Sequence, residues 1–432
     1  MDDLDAVLDA ARTRYADNRP NSKALFARAR SVIPGGSTRA VLDMNPFPTR
    51  MASAKRATII DVDGHQYLDL LGDFTAGLFG HDPGPVGEAV TATLAKGWSF
   101  GAGHENEVRL AELVADRFAS IEQVRFANSG SEATMLAVTL ARHTTRRSKV
   151  MAFHGGYHGA FLYMGPAGEG LRAPFDYVLC RFNDLEEVTA RFAEHGADIA
   201  CVIVEPLMGS AGCIPAQPGF LAGLRELCDR HGSLLILDEV MTSRMAYGGA
   251  QERLGVRPDL TTLGKYLSGG MNSGAFGGSA AVMSAFDASR GGSVAHGGTF
   301  NNNVVSMAAG VTALELVLTR ELLDELFDRG ERLRARIESI LTASPTPLSI
   351  TGWGSMMNFQ ATKAVIHSPA DLAGVDLRWR ELLVFELFEA GYYLAPRGFV
   401  ALSIEVTEQH LDRFLADLAG IVERMGQIPM PR

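Results

Sequence analysis

From Pro83 onward the apolar positions of the chain alternate between two periods. Helical spacing marks segments near 84–96, 105–119, 131–145, 184–195 and 218–231. Between them lie short runs that are apolar throughout, near 123–127, 149–153, 177–181, 199–205 and 233–238. Strands look like this when helices cover both faces of a parallel sheet, so the pattern predicts an α/β fold with a mostly parallel central sheet. Short runs near 275–283 are expected to complete that sheet.

The flanking regions read differently. Residues 1 to about 33 carry an amphipathic helical pattern, with Leu4, Leu8, Ala11 and Tyr15 on one face, a second start after Asn21-Ser22, and Pro34-Gly35-Gly36 as its stop. Ser37 to Arg56 reads as irregular, and Thr58 to Leu70 as a hairpin about the turn Asp63-Gly64. After Asn301 to Asn303 a long helical pattern runs towards Leu341. Beyond Pro345-Thr346-Pro347 come a strand, a helix at about 376–390, strands near 392–406 and a last helix from about 408, which together make a smaller α+β unit.

Composition narrows the function. The 432 residues are too many for one simple core, and their hydrophobic and charged shares, 47% and 21%, are ordinary for a globular protein. A net charge of −10 argues against nucleic-acid binding and against anionic membranes. The acidic start Met1-Asp2-Asp3-Leu4-Asp5 lacks a signal-peptide pattern, and no apolar run approaches the roughly 18 residues of a membrane span, so a cytoplasmic protein is expected. Cys180, Cys201, Cys213 and Cys228 show no C-x-x-C spacing and read as buried thiols.

The chemistry centres on two strand ends. The run Leu234-Leu235-Ile236-Leu237 delivers Asp238 at its C-terminal end, and a second short run, Asp259 to Leu263, is followed by Gly264-Lys265. A carboxylate and a lysine so placed suit a cofactor with a basic ring nitrogen and an aldehyde, namely pyridoxal phosphate: the lysine forms the Schiff base and the aspartate keeps the ring nitrogen protonated. Taken alone, each has a plainer reading, since Asp238-Glu239 could be a solvated loop start and Lys265 is one of 40 basic residues. Support comes from Asn128-Ser129-Gly130-Ser131-Glu132-Ala133, which follows a strand and opens a helix where N–H groups and hydroxyls favour an anion. Ser-Gly-Ser is also an ordinary N-cap. Further on, Tyr157 stands among glycines in Phe153-His154-Gly155-Gly156-Tyr157-His158-Gly159 and is the candidate for stacking on a flat ring. His154 and His158, four apart, have metal-ligand spacing but neither a helical frame nor a nearby carboxylate pair, so no metal is assigned.

Read together, Asn128-Ser-Gly-Ser-Glu-Ala, Tyr157-His-Gly, Val204-Glu-Pro206, Leu237-Asp-Glu-Val-Met-Thr242, Leu263-Gly-Lys265 and Gly298-Thr-Phe-Asn301 give the chain a resemblance to the class III (ω) aminotransferases of PLP fold type I over nearly its whole length. The resemblance implies Lys265 as the Schiff-base lysine, Asp238 on the pyridine nitrogen, Val240 against the ring, Ser129, Gly130 and Ser131 on the phosphate, and Glu205 among the cofactor-binding residues. It implies that Thr299 reaches the phosphate of a neighbouring subunit, hence a homodimer with its sites at the interface. The implied organisation is an N-terminal segment 1–70 joining the small domain, a large PLP-binding domain 71–318 and a C-terminal small domain 319–432.

Within that family, glutamate-1-semialdehyde aminomutase is the alternative. Two departures speak against it: Ser243-Arg244-Met245-Ala246 stands where the aminomutases read Gly-Phe-Arg, and Phe300-Asn301-Asn302-Asn303 where they read Ser-Gly-Asn-Pro. The segments Gly36-Ser37-Thr38-Arg39-Ala40-Val41 and Ala395-Pro396-Arg397-Gly398-Phe399-Val400 resemble those of bacterial β-amino acid aminotransferases. That likeness implies Arg39 and Arg397 as substrate-binding residues, whose guanidinium forks hold the carboxylates of a β-amino acid and an α-keto acid. A non-catalytic protein on the same fold would need neither Lys265 nor Asp238, and no basic helix-turn-helix segment is attached.

Overall fold

The computed structural model describes residues 3–290 and 293–429. By its internal contacts the chain divides into two compact units: Gly84–Phe327 with Ile366–Asp371, and Met1–Pro83 with Asp328–Val365 and Leu372–Arg432.

The first of these is built on a seven-stranded sheet. Its spatial order is Gln123–Ala127, Gly274–Gly278, Leu260–Gly264, Leu234–Asp238, Ile199–Val204, Lys149–Phe153 and Asp176–Cys180. All determined pairings are parallel except those of Gly274–Gly278, which runs antiparallel to both neighbours. Leu235, Ile236, Leu237 and the whole of Ile199–Val204 are buried, as two-sided cover requires. The helices Gly84–Leu94, Glu105–Arg117, Gly130–Thr145, Leu185–His195 and Phe220–His231 follow the sequence pattern closely.

Two expectations in this unit need correction. The runs near 275–283 contain only one strand, Gly274–Gly278, and then the short helix Ala280–Met283, started by Ser279 as its N-cap. The long helical pattern after Asn303 is not continuous: Val304–Thr312 passes through a wide turn at Ala313–Val317, and a separate helix, Arg320–Ala343, begins where the Thr319 hydroxyl accepts from Leu322 N at 3.2 Å.

The second unit holds a four-stranded sheet, in the order Met51–Lys55, Thr58–Asp61, Gln66–Asp69 and Tyr392–Tyr393, and a three-stranded one of Ser349–Trp353, Met356–Gln360 and Phe399–Ala401. The expected hairpin is present, with Thr58–Asp61 antiparallel to Gln66–Asp69. Within the stretch read as irregular, however, Met51–Lys55 is a strand; its side chains are exposed or half-buried, so no apolar alternation marks it. The N-terminal helix is two helices, Asp3–Asp17 and Pro20–Arg30, and Met1 and Asp2 of the expected helix lie outside the described residues. The second helix starts at Pro20 rather than after Asn21-Ser22, because proline has no N–H to lose and its φ suits the first helical position. Leu4, Leu8, Ala11 and Tyr15 form the buried face as the spacing predicts.

Candidate active site

Asp238 ends a buried strand and is itself only 5% exposed, so its charge needs partners. It has three. Val240 N and Thr262 Oγ1 each donate to Oδ1 at 3.1 Å, and His158 Nδ1 donates to Oδ2 at 2.8 Å. Thr262 stands opposite Asp238 in the parallel register, so the neighbouring strand that supplies it also leads, three residues later, to Lys265. A carboxylate offers about four lone-pair positions, and these donors take three. One acceptor position on Oδ2 remains, which is what a protonated ring nitrogen requires.

His158 is buried and faces Asp238 rather than any metal-like cluster; among the described residues no group of His, Cys, Asp and Glu has metal-holding geometry. Burial alone lowers its imidazole pKa, but the hydrogen bond to Asp238 and the charges of Asp238 and Glu205 outweigh that and hold it above its ordinary value. Glu205 is buried as well. Desolvation pushes its carboxyl up to about 7 and Asp238 adds to this, while the charge of His158 and the N–H groups of Tyr157 and Gly209, donating at 2.9 and 3.1 Å, oppose it. Glu205 thus fixes the backbone turn that carries Tyr157, a residue 40% exposed whose ring packs edge-on to Tyr163 at 5.3 Å.

The phosphate-cup residues sit at the start of the helix Gly130–Thr145. Ser129 is its N-cap, its hydroxyl accepting from Glu132 N at 3.2 Å, and Glu132 Oε2 accepts from Asn128 N at 3.0 Å. The ordinary capping role and the anion role coexist, because a hydroxyl that accepts from the helix keeps its proton to donate outward. The N–H groups of Gly130 and Ser131 precede the helical ladder.

Close packing joins these pieces. A methyl group on Gly130 would lie 2.8 Å from Val240 Cγ1, and one on Gly264 would lie 3.3 Å from Gly130 Cα. One on Gly159 would lie 2.6 Å from Ser131 Cα. Ser129, Gly130, Ser131, Tyr157, Glu205, Asp238, Val240 and Lys265, drawn from five separated stretches of sequence, therefore meet at the C-terminal ends of the parallel strands. Lys265 adopts φ +55°, a left-handed conformation uncommon for a side-chain-bearing residue, directly after Gly264.

Thr299 lies elsewhere, in an exposed turn from Gly298 to Asn301. That turn is tied to the cup through Asn301 Oδ1, which accepts from Asn128 Nδ2 at 3.0 Å. Arg39 and Arg397 belong to the other unit, where their guanidinium carbons lie 5.2 and 5.3 Å from the centre of the Phe74 ring. Arg39 Nη1 also donates to Asp73 Oδ1 at 2.7 Å. Sequence reasoning did not assign roles to His158, Thr262, Asp73 or Phe74. For His158 the sequence offers its spacing from His154 and its place in Tyr157-His-Gly, neither of which names Asp238 as its partner.

Residues 41–421 match the family of class-III aminotransferases. The β-phenylalanine transaminase of Variovorax paradoxus is 43% identical over 429 residues, 99% of this chain and 98% of that protein. The crystal structure of a β-phenylalanine aminotransferase from the same organism superposes with a TM-score of 0.96 at 42% identity, covering 99% of this chain and 100% of that one. A transaminase with PLP bound superposes with a TM-score of 0.85 at 32% identity over 95% of this chain and 99% of its own. A glutamate-1-semialdehyde aminomutase from Pseudomonas aeruginosa, at 24% identity and TM-score 0.88 over 97% and 98% of the two chains, shares the fold.

The cup is a sharp test of packing. Gly130→Ala is expected to push the helix start away from Val240 and weaken retention of pyridoxal phosphate by roughly tenfold, within the ~1–3 kcal/mol that overpacking costs. Gly130→Ala combined with Val240→Ala should recover part of that loss. Cofactor retention measured by absorbance after dialysis checks this, and equal losses in the single and double variants would contradict it.

Proposed function

The chain belongs to the class III aminotransferases, and from that membership we propose that it moves an amino group from a β-amino acid such as β-phenylalanine to an α-keto acid, 2-oxoglutarate or pyruvate. It is a PLP-dependent transaminase. Bound pyridoxal 5'-phosphate supplies an aldehyde that exchanges amines and a protonated ring that draws off the electron pair left on the substrate carbon. The glycine-walled cradle, the helix N-terminus and the open lone pair of Asp238 fit that group.

In this reading Gly130 and Ser131 offer N–H groups, and Ser129 and Ser131 hydroxyls, to the phosphate. Val240 and Tyr157 pack against the ring, and Glu205 steadies the Tyr157 turn. Asp238, held by His158 and Thr262, keeps the ring-nitrogen proton in place. Lys265 Nζ holds the cofactor at rest and, once released as a neutral amine, takes the proton from the amino-bearing carbon of the substrate and later returns one.

The observation that carries the β-amino acid reading is the convergence of Arg39 and Arg397 on one aromatic ring, Phe74. Two guanidinium forks serving one site would let it take a β-amino acid and an α-keto acid in turn, because the two substrates place their carboxylates differently. The aminomutase alternative rests on a likeness of 24% identity, which extends to fold alone. Transamination also predicts that amino-acid consumption depends on added keto acid.

A homodimer with Thr299 on the partner's phosphate completes the proposal. Trp98, Phe100 and Phe300 are 76%, 46% and 62% exposed and lie on neighbouring segments, since His104 Nε2 meets Asn302 O at 2.7 Å and Asn303 Nδ2 donates to Trp98 O at 3.3 Å. An apolar patch of this kind beside Thr299 supports burial against a second copy. A cytoplasmic location is supported by four buried free thiols.

Three outcomes test these assignments. The purified protein should be yellow and bleach on addition of an amino donor, and Lys265→Ala should lose turnover by orders of magnitude; near wild-type turnover in that variant would refute the central role of the lysine. Arg39→Ala should raise KM for β-amino acids by roughly one to two orders of magnitude, about 1.5–3 kcal/mol for a lost charge-assisted contact, while Arg397→Ala chiefly slows the keto acid half-reaction. Half-reactions followed separately with donor and acceptor decide between them. Active protein should sediment as a dimer or larger, and Thr299→Ala should weaken cofactor retention; a fully active monomer would overturn the shared site.

A further inference from the structure

The turn that carries Phe74 is the most unusual backbone in its unit. Gly72, Asp73, Phe74 and Thr75 follow one another at φ +52°, +42°, +52° and +81°, so three consecutive side-chain-bearing residues sit in the left-handed region. Such a conformation is unfavourable for a side-chain-bearing residue and persists only where the surroundings enforce it. They do so at the start of the turn and at its aromatic ring. Asp69 Oδ1 accepts from Leu71 N and Gly72 N at 2.8 and 3.1 Å, and a methyl on Gly72 would lie 2.8 Å from the carbonyl oxygen of Ala401. The Phe74 ring stacks on Phe399 at 5.6 Å. What the strained turn achieves is a placement: the Asp73 carboxylate lies 2.7 Å from Arg39 Nη1, on the guanidinium assigned above to the substrate carboxylate.

We propose that Asp73 is an internal carboxylate that occupies Arg39 in the unliganded protein and is displaced by the carboxylate of the substrate, making it a specificity-determining residue. This rests on the reading of Arg39 as a carboxylate binder. Both partners are about half exposed, 47% and 52%, so the pair is weak enough to exchange for a better-aligned anion. Its consequence is selective: Asp73 taxes every carboxylate that binds Arg39, and only a ligand with enough further contacts overcomes it.

The probe is 3-phenylpropionate, a β-aryl carboxylate without the amine, as a competitive inhibitor of the holoenzyme. Asp73→Asn removes the charge while keeping a residue that tolerates the left-handed turn, and Asp73→Gly does the same with no side chain to strain. Both variants should bind the inhibitor about two- to fivefold more tightly, as expected for an exposed ion pair. Arg39→Ala should bind it at least tenfold more weakly, and adding Asp73→Asn to Arg39→Ala should change nothing further. If Arg39→Ala weakens the inhibitor but neither Asp73 variant tightens it, the internal competitor is refuted while the role of Arg39 stands. If Arg39→Ala leaves the inhibition constant unchanged, the assignment of Arg39 itself fails, and this inference with it. A gain from Asp73→Asn that persists in the Arg39→Ala background would show that the effect does not pass through Arg39, which also refutes it.

Discussion

A carboxylate held nearly out of water at the end of a parallel strand is the constraint on which the candidate site depends. Leaving Asp238 charged there without partners would cost several kcal/mol, so the fold must bring donors to it. Each donor comes from a different place: Val240 from the following turn, Thr262 from the adjacent strand, His158 from a loop far away in sequence. The requirement thereby couples strand order, register and loop course to one oxygen pair. A one-residue slip between Leu234–Asp238 and Leu260–Gly264 would remove Thr262 and misplace Lys265 together.

Charge within this cluster is balanced by proximity. His158 feels two carboxylates, Asp238 and Glu205: at His158 the pairing outweighs burial and raises the imidazole pKa, whereas at Glu205 burial outweighs the charge of His158 and raises the carboxyl pKa. Both follow from burial acting against pairing. Geometry holds the cluster as firmly as charge does. Gly130, Gly159 and Gly264 are places where a side chain would strike Val240, Ser131 or the helix start, so the anion-favouring helix end, the Asp238 strand end and the lysine turn are pressed into one layer.

The other unit uses backbone rather than burial. A left-handed turn, pinned by Asp69 and by the close approach of Ala401, presents an aromatic ring with two guanidinium groups near it and an aspartate on one of them. Strain of that kind concentrates where side-chain placement matters more than local stability.

By itself the sequence determined the α/β class, the course of the buried parallel strands and the helices between them, because two-sided burial writes continuous apolar runs and one-sided burial writes helical spacing. It also determined that Asp238 and Lys265 stand at strand ends and that Ser129-Gly130-Ser131 opens a helix, since each of these is a local property. Where no such local imprint exists the reading failed. Met51–Lys55 buries too little to show a period, so the strand there went unread; Gly274–Gly278, expected from its short run, is a strand made mostly of glycine because its neighbours leave no room for side chains, and a methyl on Gly277 would lie 2.7 Å from the carbonyl oxygen of Gln123. Only the tertiary structure decided that His158 serves Asp238 and that Asp73 sits on Arg39. Both pairings join residues far apart in the chain, and hydrogen bonds and ion pairs between such residues are set by strand order and turn geometry, which no spacing along the sequence records.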